Sequence, residues 1–174
     1  MSALETFRTS AGGHASEASP GVKNWPTFEV VPEAALEVFR AARAAGFEHL
    51  ADLTAVDWLE GRPGDEAKAP VFQVVYNLYS YAHKERLCLV AYVPRAEPRL
   101  ASAASVWPAA DWHERECWDL YGVRFDGHPD LKRIMLPEEW DGHPLRKDYD
   151  QTKEQYIYRE GPDDHVTTDP TKGW

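Results

Sequence analysis

The densest group of side chains that could do chemistry lies in residues 112–122, which read WHERECWDLYG. On a helix, His113 and Cys117 are four residues apart and therefore share one face, where they could be two ligands of a zinc ion. Their order resembles half of the H-E-x-x-H motif of zinc proteases, with Cys117 in place of the second histidine. A third ligand would have to come from His128 or His143. A zinc-dependent hydrolase is therefore one hypothesis.

The same segment carries two glutamates, which could serve as general acid and general base. Glu114 and Glu116 are two positions apart, however, and side chains at that spacing diverge on a helix. We therefore expect a structural role, in which Arg115 pairs with Asp119 four residues later and the glutamates face solvent or a partner. The side chains expected to bury the helix are Trp112, Trp118, Leu120 and Tyr121.

A second segment, residues 141–149, reads DGHPLRKDY and combines a histidine with charges of both signs. His143 precedes Pro144, which favours an extended backbone, so we expect an exposed strip suited to docking. The planar guanidinium of Arg146 could bind a carboxylate of another chain. An intramolecular ion pair, which would add little stability at an exposed site, is the alternative, and both remain open.

The elements that must position these segments follow from the spacing of apolar residues. Two runs rich in Val, Tyr and Leu, residues 71–79 and 86–93, predict a hairpin in a sheet that is covered on both faces. Helical spacing and stop signals predict the helices. The other predicted elements are a strand at 27–31, a helix from Pro32 to Gly46, a strand at 47–58 and a helical stretch at 101–122 that Gly122 ends.

The two ends of the chain lack this regularity. Residues 1–24 are rich in Ser, Ala, Gly and Glu, so we expect a flexible leader outside the fold. Beyond Gly122, Gly and Pro interrupt every pattern while aromatic residues still offer anchors. The sequence therefore predicts a folded domain at 25–125, followed by an extended partner-binding tail at 126–174.

Composition limits the possible classes of function. The 174 residues suffice for one compact domain, and 29 acidic against 19 basic side chains argue against binding to nucleic acid. The longest uncharged apolar stretch, residues 87–93, is too short to span a bilayer, and no secretory signal is visible, so we expect a cytosolic chain. Cys88 and Cys117 cannot supply the four thiolates of an iron–sulfur cluster.

Both chemistry-bearing segments resemble the signature of a known family, the thirty-kilodalton subunit of respiratory complex I, called the C subunit in bacteria. Related subunits of membrane-bound hydrogenases carry a similar block. The resemblance runs from about Phe47 to Tyr149 and is strongest from Trp112 onward. The residues that carry it are Glu114-Arg115-Glu116, Asp119-Leu120-Tyr121, His128, Lys132, Ile134 and Met135, and then the segment Gly142-His143-Pro144-Leu145-Arg146-Lys147-Asp148-Tyr149.

The resemblance implies an α+β fold with a mixed sheet and packed helices, followed by a long extended C-terminal tail. It also implies a non-catalytic scaffold in the peripheral arm of a proton-translocating NADH:quinone oxidoreductase, attached to the cytoplasmic face of the cell membrane only through the complex. Family members bind no cofactor, so FMN and iron–sulfur clusters are expected in partner subunits, and the forty-nine-kilodalton subunit is the expected contact. The residues expected at the interface are Glu114, Arg115, Glu116, Asp119, Tyr121, His128, Lys132, His143, Arg146, Lys147 and Asp148.

Three alternatives stay open beside this interpretation. The first is the equivalent subunit of a hydrogenase-like complex. The second is the zinc-dependent hydrolase, which requires His113 and Cys117 to converge with a further histidine. The third is a free-standing acidic adaptor unrelated to respiration.

Overall fold

The computed structural model describes residues 2–18, 25–62 and 64–152, which form a mixed sheet, a small second sheet and three helices. The helices are α1 (Ala3–Ala11), α2 (Ala35–Ala44) and α3 (Ala110–Tyr121), and the strands are β1 (Ala15–Ala18), β2 (Thr27–Val30), β3 (His49–Trp58), β4 (Val71–Ser80), β5 (Glu85–Pro94), β6 (Arg99–Ala101) and β7 (Arg124–Asp126). The main sheet has the order β1-β2-β5-β4-β3. Strands β2 and β5 run parallel and the other neighbours antiparallel, while β6 and β7 form a parallel pair. This confirms the α+β class with a mixed sheet.

The predicted hairpin is confirmed as β4 and β5. Their register runs from Val71 opposite Pro94 to Ser80 opposite Glu85, and Lys84 in the connecting turn adopts a positive φ of 54°. The predicted strand at 27–31 and the helix after Pro32 are confirmed as well, the helix beginning with a 3-10 turn at Pro32–Ala34.

Residues 87–91 of β5 are all buried, so both faces of this strand are covered as expected, but β4 is open on one face and the expectation was wrong for β4. Burial alternates along β4, and on its buried side Tyr76 and Phe72 contact Phe39 of α2 and Tyr121 of α3, with ring centroids 4.6 and 6.2 Å apart. The opposite side borders an open cavity of about 540 Å³ with Val75 in its lining. Because valines occupy half-exposed positions, the run looked continuously apolar in sequence although its period is two.

Helix α3 begins at Ala110 rather than near Ala101. Ala101 pairs instead with Asp126 in the small sheet, and the following turn buries Trp107, whose indole N–H donates to the Phe47 carbonyl at 3.0 Å. The alanine-rich sequence favours a helix, but these tertiary contacts override that local preference. Gly122 ends α3 as predicted, with a φ of 77°.

The leader prediction was wrong for residues 2–18. Ser2 and Glu5 form a reciprocal capping box that starts α1, and Phe7 is fully buried with its ring against Phe28 and Phe47. Strand β1 then pairs with β2. The composition looked like that of a mobile segment because a short helix needs few large apolar residues when one of them, Phe7, reaches the core. The other residues of the predicted leader, 1 and 19–24, lie outside the described residues.

After β7, residues 127–152 follow turns and bends with no helix or strand assigned to them. The rest of the predicted tail, residues 153–174, lies outside the described residues. Among the residues that the structure describes, no helix has the length and apolar character needed to cross a membrane.

Candidate functional site

Helix α3 buries polar residues and exposes an aromatic one, which reverses the expected orientation. Glu114 and Asp119 are fully buried and Cys117 is nearly so, whereas the Trp112 side chain is 63% exposed. The prediction that aromatic residues bury this helix and that both glutamates face solvent or a partner was therefore wrong for Trp112 and Glu114. Glu116 is exposed, as expected.

The Glu114 carboxylate joins α3 to the turn that follows β6. Its two oxygens accept hydrogen bonds from the Ser102 hydroxyl and the Ala103 backbone N–H, both at 2.6 Å. Burial raises the pKa of Glu114 from 4.5 to about 7, with a further contribution from the nearby Asp111 carboxylate and against the effect of the two hydrogen bonds.

The His128 side chain is buried beside this carboxylate. Its Nε2 lies 3.1 Å from the Asp111 carbonyl oxygen and 4.0 Å from Glu114 Oε2, and its Nδ1 accepts the Asp130 backbone N–H at 3.0 Å. His128 thereby attaches the segment after β7 to the first turn of α3.

Asp119 holds the same segment farther along the helix. Its carboxylate accepts hydrogen bonds from the backbone N–H groups of Ile134, Met135 and Leu136 at 2.7–3.0 Å. It also forms an ion pair with Arg133 at 2.6 Å. Burial acts to raise the pKa of Asp119, but the hydrogen bonds together hold it below its ordinary value. The prediction that Arg115 pairs with Asp119 was therefore wrong.

Arg115 lies on the outer side of α3 instead. Its guanidinium carbon is 4.9 Å from the centroid of the Trp112 ring, and its Nε donates to the Lys132 carbonyl at 3.2 Å. The Lys132 ammonium pairs with Asp130 at an exposed position. These contacts orient Trp112 without burying it.

The second signature segment caps the C-terminal end of α3, where helix carbonyls lack partners within the helix. His143 Nδ1 lies 2.8 Å from the Asp119 carbonyl oxygen, and the Leu145 N–H donates to the Leu120 carbonyl at 3.0 Å. Arg146 Nε donates to the Tyr121 carbonyl at 2.6 Å. Burial, with Arg146 and Arg133 nearby, lowers the pKa of His143, so the neutral ring donates through Nδ1.

Gly122 makes this close approach possible. It adopts a positive φ of 77°, and a Cβ at this position would lie 2.6 Å from the His143 ring and closer still to Arg146. The glycine is therefore required both for its backbone conformation and for the space above it.

A buried carboxylate in β3 secures the end of the same segment. Asp57 accepts two hydrogen bonds from Arg95, at 3.0 and 3.3 Å, and one from the Lys147 backbone N–H at 2.9 Å. Arg95 also pairs with Asp148, which lowers the pKa of that carboxyl. The Lys147 ammonium lies 5.7 Å from the centroid of the Trp58 ring.

The contacts of Arg146 differ from the intramolecular ion pair considered from the sequence, and its binding to a carboxylate of another chain stays a prediction. Arg146 caps a helix, and its guanidinium also stacks over Phe72 at 5.2 Å from the ring centroid. Residues 127–152 thus pack on their own domain, which corrects the prediction of an extended tail over this range, while their binding to a partner stays a prediction. Sequence reasoning missed Arg133, Asp57 and Arg95, although an aspartate within the otherwise apolar strand 47–58 was a signal, since a buried carboxylate requires partners.

The described residues do not bring together the ligand set that the zinc hypothesis requires, so the structure does not favour this alternative. They contain no group of three or more His, Cys, Asp or Glu side chains placed to hold a metal ion. Burial raises the pKa of the Cys117 thiol, whose Sγ lies 3.9 Å from the Leu53 carbonyl oxygen. His128 and His143 are occupied by the helix contacts given above.

These contacts leave three large apolar side chains exposed around α3, which we call the docking patch. Trp112, Met135 and Leu145 are 63%, 62% and 47% exposed. Trp112 and Asp119 are seven residues apart and hence on the same side of the helix, about 10 Å along its axis. The Met135 amide binds Asp119 and the Leu145 amide binds Leu120. Met135 and Leu145 therefore lie near the C-terminal end of α3, whereas Trp112 lies near its N-terminal end.

Comparison with known proteins identifies similar chains. A family model described as the 30 kDa subunit of respiratory-chain NADH dehydrogenase matches residues 28–155. The chain is 45% identical over 113 residues to the NADH-quinone oxidoreductase C subunit of Chloroherpeton thalassium, covering 64% of this chain and 42% of that protein. It is 52% identical over 98 residues to the C subunit of Geobacter sulfurreducens, covering 56% and 57%. The chain thus spans roughly half the length of these relatives.

A relative with a longer chain and two solved structures add to this. The chain is 47% identical over 100 residues to the NADH-quinone oxidoreductase C/D subunit of Methylococcus capsulatus, covering 58% of this chain and 17% of that one. The trypsin-resistant fragment of Nqo5 matches with a TM-score of 0.57 and 32% identity, covering 74% of this chain and 96% of that one. A chain of the membrane-bound sulfane sulfur reductase, an archaeal respiratory membrane complex, matches with a TM-score of 0.68 and 22% identity, covering 94% and 98%, which shows the fold alone.

Proposed function

The chain belongs to the family of the 30 kDa subunit of respiratory-chain NADH dehydrogenase, and on that basis we propose that it is a scaffold subunit in the peripheral arm of a proton-translocating NADH:quinone oxidoreductase. The identity of 45% and 52% with two curated C-subunit chains supports this assignment. In this proposal the chain has no catalytic residue, and FMN and iron–sulfur clusters belong to partner subunits. It is held at the cytoplasmic face of the membrane through the complex.

The observation that carries the scaffold role is how the signature residues are used. Asp119, His143 and Arg146 each bind backbone groups of this same chain. Groups committed to internal contacts are poorly placed for acid–base chemistry, but they hold the surface around them in a single shape. The signature therefore builds a rigid support for the docking patch.

In this proposal the partner of the docking patch is the forty-nine-kilodalton subunit. The relative from Methylococcus capsulatus carries the name of a combined C/D subunit, which supports close association of the two units. Aromatic side chains are enriched among the residues that dominate interface energies, and Trp112 has a cation stacked on it, which keeps it oriented before docking.

Assembly in the native host tests this surface. We expect Trp112→Ala to weaken docking by about 30-fold, the loss typical of a central interface residue, and to lower the amount of assembled, NADH-oxidising complex in membranes. Tyr81→Ala is the matched control, because Tyr81 is 60% exposed but lies in the β4–β5 turn. Normal assembly of the Trp112 variant, with thermal unfolding unchanged in both chains, would exclude the docking patch as the contact.

Metal and cofactor analysis tests the scaffold role separately. The purified full chain is expected to carry no stoichiometric iron, flavin or zinc, since its two cysteines are a buried Cys88 and a buried Cys117. A visible absorption band from a bound cluster or flavin would contradict a scaffold without cofactors.

A further inference from the structure

A group of buried ionisable side chains lies where the first turns of α3 meet the turn after β6 and the loop that carries His128, and the scaffold role does not use it. Glu114 is fully buried, as is the His128 side chain 4.0 Å away. Asp111 Oδ1 lies 3.3 Å from His128 Nε2, and the buried Tyr76 hydroxyl has no hydrogen-bond partner among the described residues. Such an arrangement is costly unless its protons are placed to limit buried charge.

Hydrogen bonds identify the ring nitrogen of His128 that carries the proton. Nδ1 accepts the Asp130 backbone N–H, so it cannot also hold a proton without losing that bond. Nε2 faces the Asp111 carbonyl oxygen, which only accepts, so Nε2 is the donor. The geometry therefore selects a neutral His128 ring, and an ion pair with Glu114 would cost the Asp130 hydrogen bond.

We propose that Glu114 and His128 form a proton-binding latch, in which one proton on the Glu114 carboxyl allows the loop around His128 to close against α3. When this proton leaves to solvent, a carboxylate remains in a buried site beside a neutral imidazole and the Asp111 carboxylate. That state favours opening of the loop, because water can then reach the charge. Closed and open latch thus differ by one proton.

The surroundings of Glu114 favour the protonated form. The ionisable groups that face it are Asp111 and Cys117 on α3, Tyr76 on β4 and His128 on the loop, and none of them brings a fixed positive charge in the selected tautomer. Burial accordingly raises the pKa of Glu114 to about 7. The latch therefore operates near neutral pH.

The latch connects to the docking patch through its neighbours in sequence. Asp111, which binds His128, precedes Trp112, and the Lys132 carbonyl that holds Arg115 against Trp112 lies four residues after His128. Opening the loop removes these supports of the indole. In this part the inference depends on the proposed function: docking through Trp112 should weaken as the pH rises from about 6 to about 8, across the pKa of Glu114.

NMR of the isotope-labelled full chain tests the latch without any variant. The carboxyl carbon of Glu114 is expected to titrate near pH 7, against about 4.3 for an unperturbed glutamate. In the closed loop, the nitrogen shifts of the His128 ring should place a proton on Nε2 and none on Nδ1. Titration of Glu114 below pH 5, or a proton on Nδ1 of His128 while the loop is closed, would overturn the proposal.

The pH dependence of unfolding by urea gives an independent test. The folded chain holds one more proton than the unfolded chain between about pH 4.5 and 7, so this group lowers the folding equilibrium constant up to tenfold per pH unit as the pH rises through that window. Glu114→Gln keeps an acceptor for Ala103 and is always neutral, so its profile should lack this loss. Glu116→Gln, an exposed position on the same helix, should retain the wild-type profile.

The latch would be refuted if the unfolding free energies of Glu114→Gln and Glu116→Gln changed with pH in the same way. If the Glu114→Gln chain does not fold, the titration of the wild-type carboxyl decides alone. The wild-type chain could show no loss of unfolding free energy as the pH rises from about 4.5 to 7, while the Trp112 variant fails to assemble. That combination would refute the latch and leave the proposed function intact.

Discussion

Individual residues around α3 act mainly by satisfying groups that the helix leaves unpaired. His143, Leu145 and Arg146 bind three successive carbonyls at the C-terminal end of α3. Asp119 accepts hydrogen bonds from three backbone amides of the returning loop, residues 127–152. Each contact joins positions 15 to 25 residues apart in the chain. Two pairs of substitutions test which of these contacts stabilise the fold.

Replacing Gly122 by alanine should destabilise the chain well beyond the effect of a positive φ. A methyl group would displace His143 and Arg146 from the helix end, adding about 1–3 kcal/mol of overpacking to the backbone strain. Gly127→Ala is the control, since Gly127 also has a positive φ, of 85°, but nothing within 4 Å of its Cβ position. Urea unfolding measures both, and equal losses would show that the close approach does not matter.

Arg133 should be the structural arginine of this region, rather than Arg115. Arg133→Ala leaves the fully buried Asp119 charge without its ion pair, for which we expect a loss of about 3 kcal/mol in unfolding free energy. Arg115→Ala removes an outer cation–π contact and one hydrogen bond, with an expected loss of about 1 kcal/mol or less. Chemical denaturation of the two variants compares them directly, and the reverse order would contradict the observed pairing.

At the scale of elements, α1 and β1 extend the sheet and close one end of the core. Ala3, Phe7 and Ala11 repeat every four residues and face inward, and the Leu4 amide is bound by Glu85 at the start of β5. The N-terminal helix is thus part of the folding unit and not an appendage.

Phe7→Ala should therefore lower the unfolding free energy by about 3–5 kcal/mol, the usual cost of truncating a buried phenylalanine. Thr9→Ala, at an exposed position of the same helix, should stay within about 0.5 kcal/mol of wild type. Thermal and urea unfolding provide the measurement. A Phe7 variant as stable as wild type would restore the idea of a flexible leader.

For the whole molecule, the main consequence is that the chain folds back on itself up to residue 152. Asp57 in β3 and Asp119 in α3 bind the returning segment at two separate places. Whether the last residues bind a partner, through anchors such as Tyr156, Ile157 and Tyr158, stays a prediction from sequence.

Limited trypsin digestion tests both the packing of residues 127–152 on their own domain and the predicted binding of the last residues to a partner. In the isolated full chain, the bonds after Arg133, Arg146 and Lys147 should resist cleavage, because these residues are held by Asp119, Tyr121 and Asp57. The first cuts are expected after Lys153, Arg159 or Lys172, and assembly into the complex should protect these sites. Intact-mass spectrometry follows the digestion, and early cutting after Arg133 would contradict the packing described.

Short-range patterns sufficed for much of the fold. The β4–β5 hairpin, the helix after Pro32 and the helix stop at Gly122 were predicted from sequence, because alternation, caps and left-handed glycines act within a few residues. The family signature was likewise visible in residues 112–149. The role of Phe7, the open face of β4 and the start of α3 were missed, since each depends on what packs against the element.

The arrangement of the site depends on contacts that no local pattern specifies. Spacing on α3 favoured Arg115 as the partner of Asp119, but the returning loop brings Arg133 and three amides to it instead. Glu114 looked exposed because its neighbours are polar, yet the turn after β6 encloses it. Desolvation is a property of the assembled fold, and so the partners and the protonation of these carboxylates emerge only when distant segments meet.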